Sequence, residues 1–216
     1  MPRAERWTAA SAGAARRAAD IMIAATALLA LCVPMVIIAI VIRLTSPGPA
    51  LFVQRRVGFD RESFSFYKFR TMRLGGDDAV HRKMIADELR GEDTSSGGSW
   101  KLDNDARITR FGSFLRRTSM DELPQLFNVL LGDMTLVGPR PCLEWEAEMF
   151  PTEFDERFAV RPGLTGLWQV SGRSAMGTLD MLRLDVDYAH HQTLLGDIAI
   201  LARTVPVLLL PGGGAR

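Results

Sequence analysis

Apolar and polar positions divide this chain unevenly. Residues 1–20 are polar and basic, with Arg3, Arg6, Arg16 and Arg17, then Asp20. Residues 21–42 follow with no charge in twenty-two positions. As a helix rising about 1.5 Å per residue, that run is long enough to cross a hydrocarbon layer of roughly 30 Å. A cleaved signal peptide fits poorly, because the run is too long and no small-residue cleavage site follows. Two forms stay open from the residues alone: a simple span, and a helix that enters the membrane, bends and leaves on the same side. Pro34 sits near the middle, where it removes a backbone hydrogen bond and crowds the preceding turn. Arg16 and Arg17 flank one end and Arg43, Arg55 and Arg56 the other, which puts both ends in the cytoplasm if positive charge stays inside. Prolines also occur in ordinary spans. No second long apolar run exists, so residues after 45 are expected on one side of the membrane.

The rest alternates in short segments. Residues 46–49 (SPGP) form a turn. Residues 51–57 and 63–71 are expected as two strands around a turn at 58–62. In the second strand Phe64, Phe66, Lys68 and Arg70 share one face, either a solvated strand end or an anion contact. Helical patterns cover 77–89, 111–117, 123–131, 144–158 and 178–190. Pro124 suits a first helical turn. A polar loop, 91–99, separates two of these segments. Residues 198–210 are apolar but carry Arg203 and Pro206; they are too short to span and suit the interface plane.

Composition narrows the function. The formal charge of +1 over 216 residues argues against a nucleic-acid partner held by bulk charge. Cys32 and Cys142 are far apart, His190 and His191 are adjacent and His81 is isolated, so neither a disulfide framework nor a histidine metal site is expected. The densest chemistry lies in 116–141, RRTSMDELPQLFNVLLGDMTLVGPRP. Asp121 and Glu122 stand side by side, with Arg116 and Arg117 before them and Arg140 after. Two carboxylates among guanidiniums beside an apolar run suit phosphate chemistry near a greasy surface. They also suit plain helix capping, since Ser119-x-x-Glu122 has the capping-box spacing. The Gly-rich segment 161–173 has neither Walker nor dinucleotide spacing.

Taken in order, KFRTM at 68–72, DARIT at 105–109, DELPQL at 121–126, NVL at 128–130, GDM at 132–134, VGPRP at 137–141, RPGLTG at 161–166 and Gly172-Arg173 resemble the bacterial sugar transferases. These are monotopic phosphoglycosyl transferases, among them the undecaprenyl-phosphate sugar phosphotransferases. The resemblance covers about 16–203, and the chain looks like the family's minimal form.

The resemblance implies a helix-rich α+β fold on the cytoplasmic face of the bacterial inner membrane. It would comprise a basic segment and re-entrant helix (1–45) broken at Pro34, then a catalytic domain (46–216) with a β-hairpin and amphipathic interfacial helices. Many members carry serine before this proline, where here stands Val33. It further implies transfer of a sugar phosphate from a UDP-sugar to undecaprenyl phosphate, with Asp121 as nucleophile and Glu122 assisting it. Mg2+ would sit on Asp121 and Glu122. Arg116 and Arg140 are the expected phosphate contacts, with Lys68, Arg70, Arg173 and Asp185 as further substrate contacts. A homo-oligomer is left open. Two rival readings keep the same residues: a magnesium-dependent pyrophosphohydrolase, and a non-catalytic membrane scaffold in which Asp121 and Glu122 only cap.

Overall fold

The computed structural model describes residues 3–73, 79–92, 94, 107–172 and 176–209, with side chains described from 13 to 206 within those ranges. The fold is helix-rich α+β. It opens with α1 (Arg3–Thr45), which is helical through Pro34, and continues with the hairpin β1 (Leu51–Val57) and β2 (Ser63–Phe69). Next come α2 (Ala79–Leu89), α3 (Arg110–Arg117), a 3-10 turn (Met120–Glu122), α4 (Gln125–Leu131) and β3 (Thr135–Val137). The chain ends with β4 (Cys142–Leu143), α5 (Glu144–Met149), a 3-10 segment (Thr152–Ala159), β5 (Gly163–Thr165), α6 (Leu167–Ser171), α7 (Thr178–His191) and α8 (Leu194–Leu209).

The expected hairpin is present, in register from Leu51 opposite Phe69 to Val57 opposite Ser63. β1 also pairs antiparallel with β4, giving the order β2-β1-β4, and β3 pairs parallel with β5 in a separate two-stranded sheet. The pairing of β3 with β5 brings two glycines together. A Cβ on Gly163 would lie 2.0 Å from the Gly138 nitrogen, so only bare backbone fits at that crossing. The glycines of 161–173 therefore serve a backbone-to-backbone approach at this point.

Two helical expectations are corrected. Residues 144–158 are not one helix: Phe150 takes ψ 134 and Pro151 ψ 141, so α5 stops and a separate 3-10 segment begins. Proline disfavours helical geometry in the residue before it. In the other direction, Pro206 does not end α8, which starts at Leu194 and runs to Leu209.

As an edge strand of its sheet, β2 leaves backbone groups to be satisfied, and α4 supplies the partner. Asn128, fully buried, accepts from the Tyr67 amide at 3.1 Å and donates to the Ser65 carbonyl at 2.6 Å through its own side chain. Its amide also donates to Asp133 at 3.2 Å. The carbonyl end of α4 is met by arginines: Arg17 donates to Val129 O and Leu130 O, and Arg161 to Gly132 O.

The long helix α1 packs on this body along two stretches. Near its start, Arg16 pairs with Asp197 at 2.8 Å, Asp20 accepts from the Leu136 amide, and Ala24, Ala27 and Leu28 join the core around Leu126, Val129 and Met134. Near its end, Met35, Ile38, Ala39 and Ile42 pack with Phe69, Phe111, Leu115 and Leu123. The face outside these contacts is apolar and bare, with Met22, Leu29, Val33, Val36 and Ile37 all exposed. Among the described residues α1 is the helix long and apolar enough to cross a membrane. Arg70 fixes its exit by donating to the carbonyls of Ser46, Pro47 and Gly48.

We expect Asn128→Ala to lower stability by about 2 kcal/mol, because it strands a part-buried amide and a part-buried carbonyl of β2. A detergent-phase thermal unfolding midpoint within a degree of wild type would show that this bridge contributes little.

Candidate active site

Asp121 and Glu122 lie on the 3-10 turn between α3 and α4. Thr109 starts α3 by accepting from the Gly112 amide at 2.9 Å, and the helix runs to Arg117, with Arg116 in its last turn. The chain then leaves through Ser119, which holds φ 54, a left-handed conformation that costs a non-glycine residue about 1 kcal/mol. Beyond that kink the turn Met120–Glu122 lies against β2. Pro124 then enters the first turn of α4.

The capping alternative does not survive this geometry. Ser119 makes no side-chain cap bond, and neither the turn nor α4 has a side-chain N-cap. Glu122 instead pairs with Arg140, Oε1 to Nη1 at 3.4 Å. Both side chains are partly exposed, so the pair itself contributes about 1 kcal/mol at most. Among the described residues, no hydrogen bond or ion pair to the Asp121 carboxylate is found.

The electrostatics single out Asp121. Its pKa is raised to about 6, first by burial and next by the neighbouring Glu122, while Lys68, Arg116 and Arg140 pull the other way. Lys68 is lowered to about 8, chiefly by burial, then by Arg56, with Asp121 opposing. Its ammonium lies 5.3 Å from the Phe52 ring centre. Arg56 is lowered to about 10, again by burial first and then by Arg140. Four cations, Arg56, Lys68, Arg116 and Arg140, thus surround two carboxylates, an excess of positive charge that suits a polyanionic ligand.

Arg56 is the residue that sequence reasoning missed. Read there as a membrane-flanking charge, it lies over the Phe66 ring at 4.6 Å and donates to Pro141 O at 2.6 Å and to Gln54 at 3.3 Å. Its alternation with Gln54 on β1 was the available signal.

Two expected substrate contacts lie elsewhere. Arg70 does not share the Lys68 site: β2 ends at Phe69, and the Arg70 guanidinium turns back onto the 46–48 carbonyls, 4% exposed. Asp185 is 1% exposed and pairs with Arg157, Oδ2 to Nη2 at 2.7 Å, so it is walled off from any ligand. Arg173, most of the 91–99 loop and Asp105 lie outside the described residues.

Among the described residues no three His, Cys, Asp or Glu side chains approach closely enough to cage a metal ion. Two adjacent carboxylates, one of them without a hydrogen-bond partner among the described residues, still fit the chemistry of Mg2+. That ion keeps several waters and is held by one or two carboxylates together with substrate phosphates.

Comparison with known proteins completes the picture. Residues 11–211 match the family described as bacterial sugar transferase. The chain is 44% identical over 170 residues to the undecaprenyl-phosphate galactose phosphotransferase of Salmonella typhimurium, covering 77% of this chain and 34% of that protein. It is equally 44% identical over 170 residues to the galactosyl transferase CpsE of Streptococcus agalactiae, covering 78% of this chain and 36% of that one. Against the exopolysaccharide production protein ExoY of Sinorhizobium fredii it is 35% identical over 201 residues, 93% of this chain and 88% of the relative. The chain thus spans about a third of the first two relatives and most of the third. With a matching family description across nearly its whole length, this chain belongs to the bacterial sugar transferase family.

Proposed function

We propose that this protein moves a sugar-1-phosphate from a UDP-sugar to undecaprenyl phosphate, as the first membrane step of exopolysaccharide or related glycoconjugate assembly. The observation that carries the proposal is the Asp121 carboxylate: partly desolvated, without a hydrogen-bond partner among the described residues, and ringed by Lys68, Arg116 and Arg140. The names of the Salmonella and Streptococcus relatives, and a Caulobacter relative named UDP-glucose:undecaprenyl-phosphate glucose-1-phosphate transferase, supply the substrate class.

In the proposed reaction an Asp121 oxygen attacks the phosphorus that bears the sugar. The bond from that phosphorus to the bridging oxygen breaks, UMP leaves, and an aspartyl phosphosugar remains. A phosphate oxygen of the lipid then attacks the same phosphorus, and the Asp121 carboxylate is released. Arg116 and Arg140 would hold phosphate oxygens bidentately, and Lys68 would add a point charge. Glu122, paired to Arg140, orients that guanidinium. Magnesium held by Asp121 and Glu122 would neutralise diphosphate charge.

The packing of α1 supports the proposed placement at the bilayer. Its two packed stretches are pinned to one body, leaving about residues 29–34 as the outermost apolar segment. A straight span would carry one of those stretches away from the domain. This arrangement supports a helix that dips into the cytoplasmic leaflet and returns, with Pro34 weakening it near the turning point. Exposed Phe114, Met120, Phe127 and Leu131 continue the apolar surface from α3 through α4.

Three tests follow. Incubated with radiolabelled UDP-sugar and magnesium but no lipid, wild type should retain label and Asp121→Asn should lose it by about four orders of magnitude. Equal labelling of both would end the covalent route, and free sugar phosphate without glycolipid would assign a hydrolase instead. Because the folded pKa of Asp121 is raised from 3.8 to about 6, the ionised form is disfavoured by folding. Stability is therefore lost as pH rises from the unfolded value through about 6. Asp121→Asn should raise the unfolding midpoint above pH 6, with the gain fading toward pH 4; no gain at pH 8 would contradict the desolvation described. Finally, in a chain lacking Cys32 and Cys142, Gly13→Cys and Thr45→Cys should both resist an impermeant thiol reagent in spheroplasts and both react after permeabilisation. Labelling of only one in intact spheroplasts would establish a span.

A further inference from the structure

The chain around Arg140 is held by two buried guanidiniums on successive carbonyls. Arg56 donates to Pro141 O at 2.6 Å, and Arg157 donates to Arg140 O at 2.8 Å. Arg157 is 2% exposed and lies on the 3-10 segment Thr152–Ala159. It is itself fixed by a fork to Asp185 on α7, Nε at 3.2 Å and Nη2 at 2.7 Å from the same oxygen. The rings of Phe150 and Phe158 flank its guanidinium at 5.2 and 5.1 Å. Neither Arg157 nor Asp185 can reach a ligand from this position.

A buried charge pair of this kind is weak evidence for stability, because its attraction is largely offset by the loss of hydration. The Nη2 nitrogen has a second use that a merely stabilising pair does not need. It spends one donor on the backbone of the residue whose side chain reaches Glu122 at 3.4 Å. The Pro139 and Pro141 neighbours limit the backbone to either side, so the carbonyl of Arg140 is the remaining handle on that peptide's rotation.

We infer that Arg157 and Asp185 form a positioning pair for the sugar-phosphate transfer, setting the direction of the Arg140 side chain through the Arg140 carbonyl. This rests on the function proposed above, and it gives Asp185 a role other than substrate contact. Lysine at 157 keeps the charge but cannot bond Asp185 and the carbonyl together in a rigid fork. The pair should matter for the formation of the aspartyl phosphosugar and should matter only while Arg140 is present.

The test is a double-mutant cycle on the full-length protein in detergent, reading the single-turnover rate of label transfer from UDP-sugar. Arg157→Lys alone should slow labelling by about tenfold, within the coupling range of contacting residues. In an Arg140→Ala background the same change should slow it by less than about twofold. Equal slowing in both backgrounds would overturn the inference, since a structural defect acts whether or not Arg140 is there. A second variant guards against misfolding. Arg157→Met with Asp185→Leu removes both charges at similar volume, a swap that folded proteins tolerate. It should keep its thermal midpoint and still label about tenfold slower, reflecting the lost fork to the carbonyl. Labelling at the wild-type rate would overturn the inference. If Arg140→Ala itself labels like wild type, the proposed function fails at Arg140, a result distinct from failure of the pair.

Discussion

A carboxylate ionises readily in water and reluctantly in a partly dry turn beside a second carboxylate. Asp121 is in the second situation, and the rest of the site is arranged around that tension. Burial and Glu122 push its pKa up, while Lys68, Arg116 and Arg140 restrain the rise. Without the cations the rise would be larger; without the burial the group would be an ordinary hydrated anion and a weaker nucleophile. Burial and Glu122 prevail, but the cations hold the value at about 6, leaving a carboxylate that is mostly ionised at neutral pH yet poorly solvated. Lys68 shows the mirror image, with burial and Arg56 pulling its ammonium down to about 8. A ligand carrying phosphate charge would relieve the cations and raise the demand on Asp121 together.

That balance needs a fixed framework, and the framework includes the membrane helix. α1 is not a tether. Asp20 accepts from the Leu136 amide of β3 at 3.1 Å, and Arg17 donates to the end of α4, whose other end carries the Asp121 turn. At the far end of α1, Ile38 and Ile42 meet Phe69, one residue beyond Lys68, and Leu115, one before Arg116. The helix that would set depth in the bilayer therefore touches residues adjacent to two of the site's cations. Depth and site geometry are coupled through packed side chains, which transmit displacement because cores are close-packed.

Elements governed by local rules were legible in the sequence; those governed by long-range pairing were not. The hairpin could be read because alternation and a polar turn specify it within twenty residues. α3, α4 and α7 could be read from helical spacing. β3, β4 and β5 are two or three residues long and pair with partners far away in sequence, Thr135 with Gly163 and Val57 with Cys142, so no local pattern marks them. The break at Phe150–Pro151 was visible as a proline and was overridden by the amphipathic pattern around it. The fold brings Asp121, Glu122, Arg140 and Lys68 near one another. Arg70 and Asp185 went astray for one reason: a motif preserves the residue and does not say which way it faces. Arg70 follows Lys68 by two positions, but β2 ends between them and strand parity stops there.

Arginine carries the same lesson further. Its abundance reads, in the sequence, as an appetite for phosphate. Several of the arginines that lie against the core are instead bonded to backbone oxygen: Arg17 to Val129 and Leu130, Arg56 to Pro141, Arg70 to the 46–48 turn, Arg157 to Arg140, and Arg161 to Gly132. A protein with short strands and many irregular connections exposes carbonyls that no ladder satisfies, and those near the core must find donors. Guanidinium answers this need well, because one planar group can serve two acceptors and keeps its charge when buried. Arg116 and Arg140 differ from this set: Arg140 reaches the Glu122 carboxylate, and Arg116 acts on Asp121 through its charge. On this reasoning the ligand-facing arginines of such a fold are best identified by subtraction, after the carbonyls have been assigned their donors.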